Sequence, residues 1–452
     1  MDRSALLSTN TAHSLYETVK DLPIVDYHNH LSLADLRANT RFTDLYELWI
    51  KPDPYKHRAM RMCGVEEERI TGSASDFEKF EAWCGVYPRL IGSPLYIWTQ
   101  MELQSVLGIT ELPCKENAKA IYDAANLYLR EHTLTPERIF EQFKVEFACP
   151  CVSAADELSV FQTTSHVAPS LRGDDVALPS LDGIKKLETL THPIASLDDY
   201  KDALSVRLDA LQKVGCKFSD HALDNGFVYL ADDGKNDARF AAVRRGEKLS
   251  DADARALCSY LLTFLCGEYA KRNMTVQLHI GAQRFTSTRL RTLAGAAGGF
   301  AAIGNSVCIA SLTQMLDTLE KAAYGLPRMI LFTLNPADNA MLSVLSGSFT
   351  KDGVAGLITQ GPAWWWCDHQ SGMNEMLENA ATFGLLTNFV GMTTDSRSFL
   401  SFVRHDYFRR ALCDWIGKKY EQNALCCPMA DLEALLQRMC YQNAKDIISE
   451  GV

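Results

Sequence analysis

The chain lacks the features that would place it in a membrane, on nucleic acid or outside the cell. Its 452 residues include 45 Lys or Arg and 56 Asp or Glu, and the resulting net charge of −11 argues against a nucleic-acid partner. The one long uncharged run, 292–316, is rich in glycine and predicts a small-residue loop leading into a helix rather than a membrane span. Residues 1–10 lack the apolar core of a signal peptide. We therefore expect a cytoplasmic protein without a membrane partner.

Motifs for nucleotide binding and for structural zinc are also missing. No Gly-x-Gly-x-x-Gly and no Walker loop occurs, which leaves a nucleotide site without support. The chain has 14 cysteines, but none of them forms a Cys-x-x-Cys pair, so a zinc ribbon is not indicated. We expect these cysteines to be reduced and mostly buried.

The most informative stretch present is residues 23–30, which read Pro-Ile-Val-Asp-Tyr-His-Asn-His. Side chains alternate along a strand, so Asp26, His28 and His30 are predicted to share one face. Two imidazoles on one face can hold a divalent cation, and Asp26 can orient a ring as a hydrogen-bond acceptor. His-x-His alone is a weak motif, because a surface strand can carry two histidines without function.

The remaining pattern alternates strands and helices, which predicts a parallel sheet and a (β/α)8 barrel of the TIM type. We expect residues 1–33 and 143–452 to form the barrel. Residues 34–142 are almost entirely helical in pattern, too long for an ordinary crossover, and are predicted to be an inserted helical subdomain. The predicted strands after the first are 144–149, 216–221, 274–281, 328–334, 356–360 and 389–394, with 306–309 as a candidate for the eighth.

Polar residues fall at the ends of the predicted strands. His28 and His30 end the first strand and Asp395 ends the last, and these strands are neighbours in a closed barrel. Two neutral imidazoles and a carboxylate suit a zinc or manganese site with open positions for substrate oxygens. His279 nearly ends a middle strand, and either a ligand role or a buried, hydrogen-bonded role fits it.

Groups suited to an anionic sugar accompany this set. Arg172 and Arg397 can each grip a carboxylate with a bidentate guanidinium. Trp364 and Trp365 follow a strand and suit an aromatic wall of the site, although packing between barrel and helix would also use them.

Short motifs spread in order from residue 23 to about 445 add a family resemblance. They are 26–32 (Asp-Tyr-His-Asn-His-Leu-Ser), 55–56, 58–61, 74–76, 79–80, 219–221, 278–282, 333–336, 363–365, 368–369, 391–392, 394–399 (Thr-Asp-Ser-Arg-Ser-Phe), 404–405 and 440–441. With these motifs the chain resembles the uronate isomerases, the glucuronate isomerase branch of the amidohydrolase superfamily.

The resemblance implies a distorted (β/α)8 barrel and a divalent metal ion, commonly zinc, held by His28, His30 and Asp395. It implies a small-molecule hexuronate substrate. The expected reactions interconvert D-glucuronate with D-fructuronate and D-galacturonate with D-tagaturonate, by proton transfer through an enediol. The sequence leaves the preferred epimer open, as well as assembly into a homo-oligomer.

The resemblance also implies roles for single residues. Arg172 and Arg397 would orient the sugar acid, Tyr55 would reach in from the inserted segment, and His279 would line the site without being an essential ligand. We expect Asp395 or its surroundings to supply the base, Arg397 or the metal to stabilise the enediolate, and Tyr55 to handle a hydroxyl proton. A carboxylate beside a metal and an arginine has a lowered pKa and is a poor base, so the base stays open.

Two departures from the family pattern keep other functions in view. Pro54 stands where the family usually has a histidine, and Ala301 and Ala302 stand where it tends to have acidic or polar residues. A catalytically weak sugar-acid binder is therefore one alternative. A metal-dependent hydrolase that uses metal-activated water is the other.

Overall fold

A parallel sheet of seven strands organises the molecule. The computed structural model describes residues 5–164 and 166–449. The sheet order is β1-β2-β3-β4-β5-β8-β9, and β6 and β7 form a separate antiparallel pair. The strands are β1 (Ile24–Asn29), β2 (Val145–Ser153), β3 (Ser170–Arg172), β4 (Phe218–Leu223), β5 (Thr275–Ile280), β6 (Ala282–Gln283), β7 (Ala302–Ile303), β8 (Met329–Thr333) and β9 (Ile358–Gln360).

Helices separate the strands, as a parallel sheet requires. The described residues between β1 and β2 are helical or irregular and contain no strand. The α-helices are Asn10–Val19, Leu33–Ala38, Pro54–Met62, Asp76–Val86, Pro94–Leu107, Ala118–His132, Pro136–Phe143, Val160–Thr163, Asp174–Ala177, Leu181–Leu190, Leu197–Lys213, Asn236–Arg244, Asp251–Lys271, Thr288–Ala294, Ile309–Glu320, Asn339–Leu345, Gln370–Phe383, Val403–Glu421, Met429–Gln437 and Asn443–Ser449.

Both faces of the sheet are buried. Every residue of β5 and β8 is buried, which is typical of parallel strands covered on both sides. A small apolar cluster includes Tyr27, Phe218 and Phe332, and the Tyr27 and Phe218 rings stack at 5.6 Å. A much larger second cluster takes in most of the buried apolar helix residues. The polar ends of the strands therefore emerge from an apolar support.

The segment after residue 389 lies beside β1 without forming a regular ladder. The Asp395 N–H donates to the His28 carbonyl at 3.1 Å, and the His30 N–H donates to the Ser396 carbonyl at 2.8 Å. The prediction of a strand over 389–394 is therefore wrong as to regular secondary structure. Its placement next to the first strand is confirmed, because these two bonds hold it there.

Other sequence predictions also need correction. β3 was not predicted, because three residues are too few to show a period of two. Residues 306–309 are not a strand, and a helix begins at Ile309.

None of the helices in the described residues is long and apolar enough to cross a bilayer. All fourteen cysteines are free thiols, and only Cys308 and Cys426 are exposed.

Candidate active site

A cavity of about 320 Å³ brings together all nine residues that the sequence predicts for catalysis, substrate binding or metal binding. Most of them follow the carboxyl ends of strands, where parallel α/β folds place their chemistry. The wall is completed by Pro54, Arg284, Phe285, Ala296, Ala297, Gly299 and Ala301. The predicted residues that line it are His28, His30, Tyr55, Arg172, His279, Trp364, Trp365, Asp395 and Arg397.

The core of the site is a carboxylate that contacts both histidines of the first strand. Asp395 Oδ1 lies 3.3 Å from His28 Nε2 and 3.0 Å from His30 Nε2. Burial lowers the pKa of His30 to about 4, so this ring is neutral at pH 7. For His28, burial acts in the same direction, but the hydrogen bond to Asp395 and the charge of Asp220 outweigh it and raise the pKa.

Asp395 is held in an unusual conformation. Its φ is +47°, in the left-handed region that few residues other than glycine adopt, and such strain is often found at functional sites. Trp364 Nε1 donates to Asp395 Oδ2 at 2.8 Å, and the Trp364 ring packs 4.7 Å from His279. Burial tends to raise the pKa of Asp395, but the hydrogen bonds from the two histidines lower it well below its usual range. The group is therefore a carboxylate at neutral pH.

The donor atoms around this centre fit a divalent cation. His28, His30 and Cys151 each offer one ligand atom, and all three lie within 4.8 Å of one another. A second set with the same spacing is His28, Asp220 and His279. His279 Nε2 is buried and has no hydrogen-bond partner among the described residues, although a buried polar atom of this kind normally has one. Imidazole, carboxylate and thiol donors at this spacing suit a transition metal.

Positive charge also lines the cavity. Arg172 makes ion pairs with Asp174 at 3.1 Å and with Asp220 at 3.5 Å, and its side chain is one-third exposed. Arg397 lines the cavity, and no ion pair engages it within residues 5–164 and 166–449. The cavity can thus attract an anion despite the negative charge of the whole chain.

Tyr55 enters the cavity from the helix Pro54–Met62. Asp53 caps this helix by accepting hydrogen bonds from the Tyr55 and Lys56 N–H groups at 2.9 and 3.2 Å. The Tyr55 hydroxyl is buried without a hydrogen-bond partner in the described chain. Burial raises its pKa despite the nearby Arg404 charge, so the phenol stays protonated and can donate to a ligand.

The Asp26 carboxylate contacts the segment that carries Asp395 rather than a metal-site histidine. Its carboxylate accepts hydrogen bonds from Thr394 N at 2.6 Å, Thr394 Oγ1 at 2.8 Å and Asn29 Nδ2 at 3.0 Å, and it faces His405 Nε2 at 3.3 Å. The pairing of β1 with β2 shifts its register between Asp26 and Asn29. The prediction that Asp26 orients a metal-site histidine is wrong. It fixes the segment that carries Asp395 instead.

Two residues were not predicted from the sequence: Arg284, which lines the cavity, and Cys151, which lies next to His28. Arg284 pairs with Asp224 at 2.9 Å and stands 5.7 Å from the Trp365 ring. Cys151, near the end of β2, has its Sγ 3.5 Å from His28 Nδ1. The available signal was position alone, since both residues lie near the carboxyl end of a sheet strand. Neither residue belongs to a spaced motif that predicts a metal ligand or a substrate contact.

Comparisons with known proteins agree with this geometry. The sequence model of the glucuronate isomerase family matches residues 1–448. A uronate isomerase from Mannheimia succiniciproducens is 39% identical over 460 residues, covering 98% of each chain. The crystal structure of a uronate isomerase from Thermotoga maritima matches with a TM-score of 0.92 at 29% identity, over 99% of each chain. A glucuronate isomerase structure from Caulobacter crescentus has the same fold, with a TM-score of 0.91 at 21% identity. The chain therefore belongs to the glucuronate isomerase family of aldose–ketose isomerases.

Proposed function

We propose that the protein interconverts D-glucuronate with D-fructuronate, and D-galacturonate with D-tagaturonate, through an enediol. The observation that carries this proposal is the contact of one carboxylate, Asp395, with both His28 and His30 in a cavity lined by arginines. Isomerisation of an open-chain sugar acid needs a base, a proton donor and positive charge near the developing enediolate. The cavity offers a group for each of these needs.

The arginines bind the anionic end of the substrate. Arg172 offers a guanidinium that already lies between two carboxylates, so it is oriented before the substrate arrives. Arg397 carries no competing ion pair in the described chain and is available to the enediolate as charge develops. Trp364 and Trp365 supply an apolar wall, and their ring centroids are 5.5 Å apart. His279 completes the wall beside Trp364.

Proton transfer uses Asp395 and Tyr55. Asp395 Oδ2, the oxygen turned away from the two histidines, takes the C2 proton and returns it to C1. Trp364 Nε1 donates to this oxygen and holds its orientation. The lowered pKa of Asp395 makes it a weak base but keeps it ionised. The Tyr55 hydroxyl donates to a substrate oxygen. A divalent cation, for which we propose zinc held by His28, His30 and Asp395, would polarise substrate oxygens as a Lewis acid.

The finer architecture belongs to the same proposal. We propose that the segment beside β1 completes a distorted (β/α)8 barrel formed by residues 1–33 and 143–452, and that residues 34–142 are an inserted helical subdomain. The free thiols and the metabolic substrate favour a cytoplasmic location.

An NMR time course on metal-reconstituted enzyme tests the activity. We expect glucuronate and galacturonate to give the corresponding keto sugars. In heavy water, deuterium should enter at C1 of the keto sugar and at C2 of the aldose that is re-formed. Binding of either sugar without turnover would instead favour a silent sugar-acid binder, the alternative that Pro54 raises. Hydrolysis of a lactone or amide panel without isomerisation would favour the hydrolase.

The Asp395→Asn variant tests the base. We expect C2 exchange to fall by about 10²–10⁴-fold, the usual contribution of a positioned acid or base. Because Asp395 is also a proposed ligand, exchange is compared at equal bound metal, measured by elemental analysis. Exchange at the native rate at equal metal content would remove Asp395 from this role.

A further inference from the structure

Cys151 is a sulfur donor inside the candidate metal site. It lies in β2, and its Sγ is 3.5 Å from His28 Nδ1 and 3.9 Å from His28 Nε2. One donor atom each from His28, His30 and Cys151 lie within 4.8 Å of one another. With metal–nitrogen and metal–sulfur bonds of about 2.0–2.3 Å, ligands of one ion stand roughly 3.5 Å apart. Atoms within 4.8 Å of one another must therefore approach by at most about 1.3 Å to share an ion.

Two unsatisfied polar atoms point independently to a ligand at the same place. His279 Nε2 is buried and unpartnered among the described residues, and the side chain of His279 is 4% exposed. Asp220 Oδ2 is buried and has no hydrogen-bond donor in the same part of the chain, although Arg172 pairs with it at 3.5 Å. The ring centroids of His28 and His279 are 4.6 Å apart, which puts these atoms around the ring that Cys151 contacts.

We propose that Cys151 Sγ is a further ligand of the divalent cation held by His28, His30 and Asp395. On binding, the thiol proton is released to solvent and the sulfur coordinates as a thiolate, so the charge balances. A thiolate favours soft metals, and the site therefore selects zinc and cadmium over manganese and magnesium. In the structure the thiol donates to Asp220 Oδ1, at 3.5 Å. This inference rests on the proposed metal position.

Cobalt(II) added to metal-free enzyme reports a sulfur ligand directly, because cobalt–thiolate bonds give a charge-transfer band in the near ultraviolet. The test variant is Cys151→Ser, which keeps an O–H that can donate to Asp220 and removes only the sulfur. The matched control is Cys308→Ser, which removes an exposed thiol that does not line the cavity. Circular dichroism confirms that each protein is folded.

We expect the wild type and Cys308→Ser to show the band at one equivalent of cobalt, and Cys151→Ser to lack it. We also expect Cys151→Ser to bind cadmium at least about 10–100-fold more weakly, since loss of an outer-shell partner already costs that much. A wild type without the band, a band retained in Cys151→Ser or a band lost in both variants would overturn the inference.

Two further measurements separate this inference from the proposed function. If Cys151→Ser does not fold, the NMR chemical shift of ¹¹³Cd bound to the wild type decides whether sulfur is a ligand. A chemical shift typical of nitrogen and oxygen donors alone overturns the inference. If His28→Ala takes up as much metal as the wild type, the metal position itself fails and the inference fails with it. Metal bound at His28 without a thiolate signal refutes only the role of Cys151.

Discussion

Lys56 provides the sharpest test of how the cavity wall is built. Its ammonium lies 2.6 Å from Asp53 and 3.2 Å from Glu102, and its side chain is 1% exposed. Trp49 donates to the same Glu102 oxygen at 2.6 Å, and the Trp49 ring centroid is 5.0 Å from the ammonium. The group supports the turn that places the neighbouring Tyr55 in the cavity.

Replacing Lys56 with Met keeps the stem and removes the charge, so two buried carboxylates lose their cation. Breaking a buried pair in this way costs about 3–5 kcal/mol. The control is Lys51→Met, since Lys51 and Glu47 form an exposed pair four residues apart that is worth about 0.3–0.5 kcal/mol. Unfolding of both variants in guanidinium chloride gives the loss in free energy of unfolding that each substitution causes. A loss below about 1 kcal/mol for Lys56→Met, close to that of the control, would refute this reasoning.

The penalty also has a predicted pH dependence. Burial raises the pKa of Glu102 above its ordinary 4.5, and Lys56 opposes that rise. Without the cation, the folded state binds a proton more tightly than the unfolded state, so the stability of the variant increases as the pH falls. The difference in free energy of unfolding between Lys56→Met and the wild type should therefore narrow as the pH falls from 7 toward 4.5. A gap that widens over this range would contradict the buried-charge explanation.

Three other substitutions separate chemistry from support. Tyr55→Phe removes a buried hydroxyl that makes no hydrogen bond of good geometry with the described residues, although Arg404 lies nearby. We expect stability within about 0.5 kcal/mol of wild type, measured by unfolding. We also expect a fall in kcat of about 10²-fold or more, measured by turnover. Gly299 has φ +79°, and a Cβ at this position would stand 2.3 Å from the Pro54 carbonyl oxygen. Gly299→Ala should therefore displace this part of the cavity wall and raise KM. An unchanged KM would contradict that contact. Asp26→Asn should destabilise the fold by about 1.5–3 kcal/mol, because it replaces a buried charged acceptor of the Thr394 N–H. An unfolding midpoint equal to that of the wild type would count against this role of Asp26.

The sequence alone predicted a set of site residues from residue type and order. His28 and His30 are two apart on a strand, and Asp395 and Arg397 follow the last apolar run, so strand ends could be aligned without coordinates. Fourteen short motifs in order then indicated the family, and all nine predicted residues line one cavity. Local spacing suffices for such residues because strand ends in a parallel sheet meet at one edge.

Only the tertiary structure decided the neighbours that no spacing records. Arg284 lines the cavity and Cys151 contacts His28 because of where the chain after β5 and β2 end, and the sequence marks neither. The Asp26 carboxylate accepts a hydrogen bond from Thr394, 368 residues further along the chain, and no local pattern records that contact. Contacts across more than a hundred residues depend on chain packing, and a period of two or 3.6 residues carries no information about them.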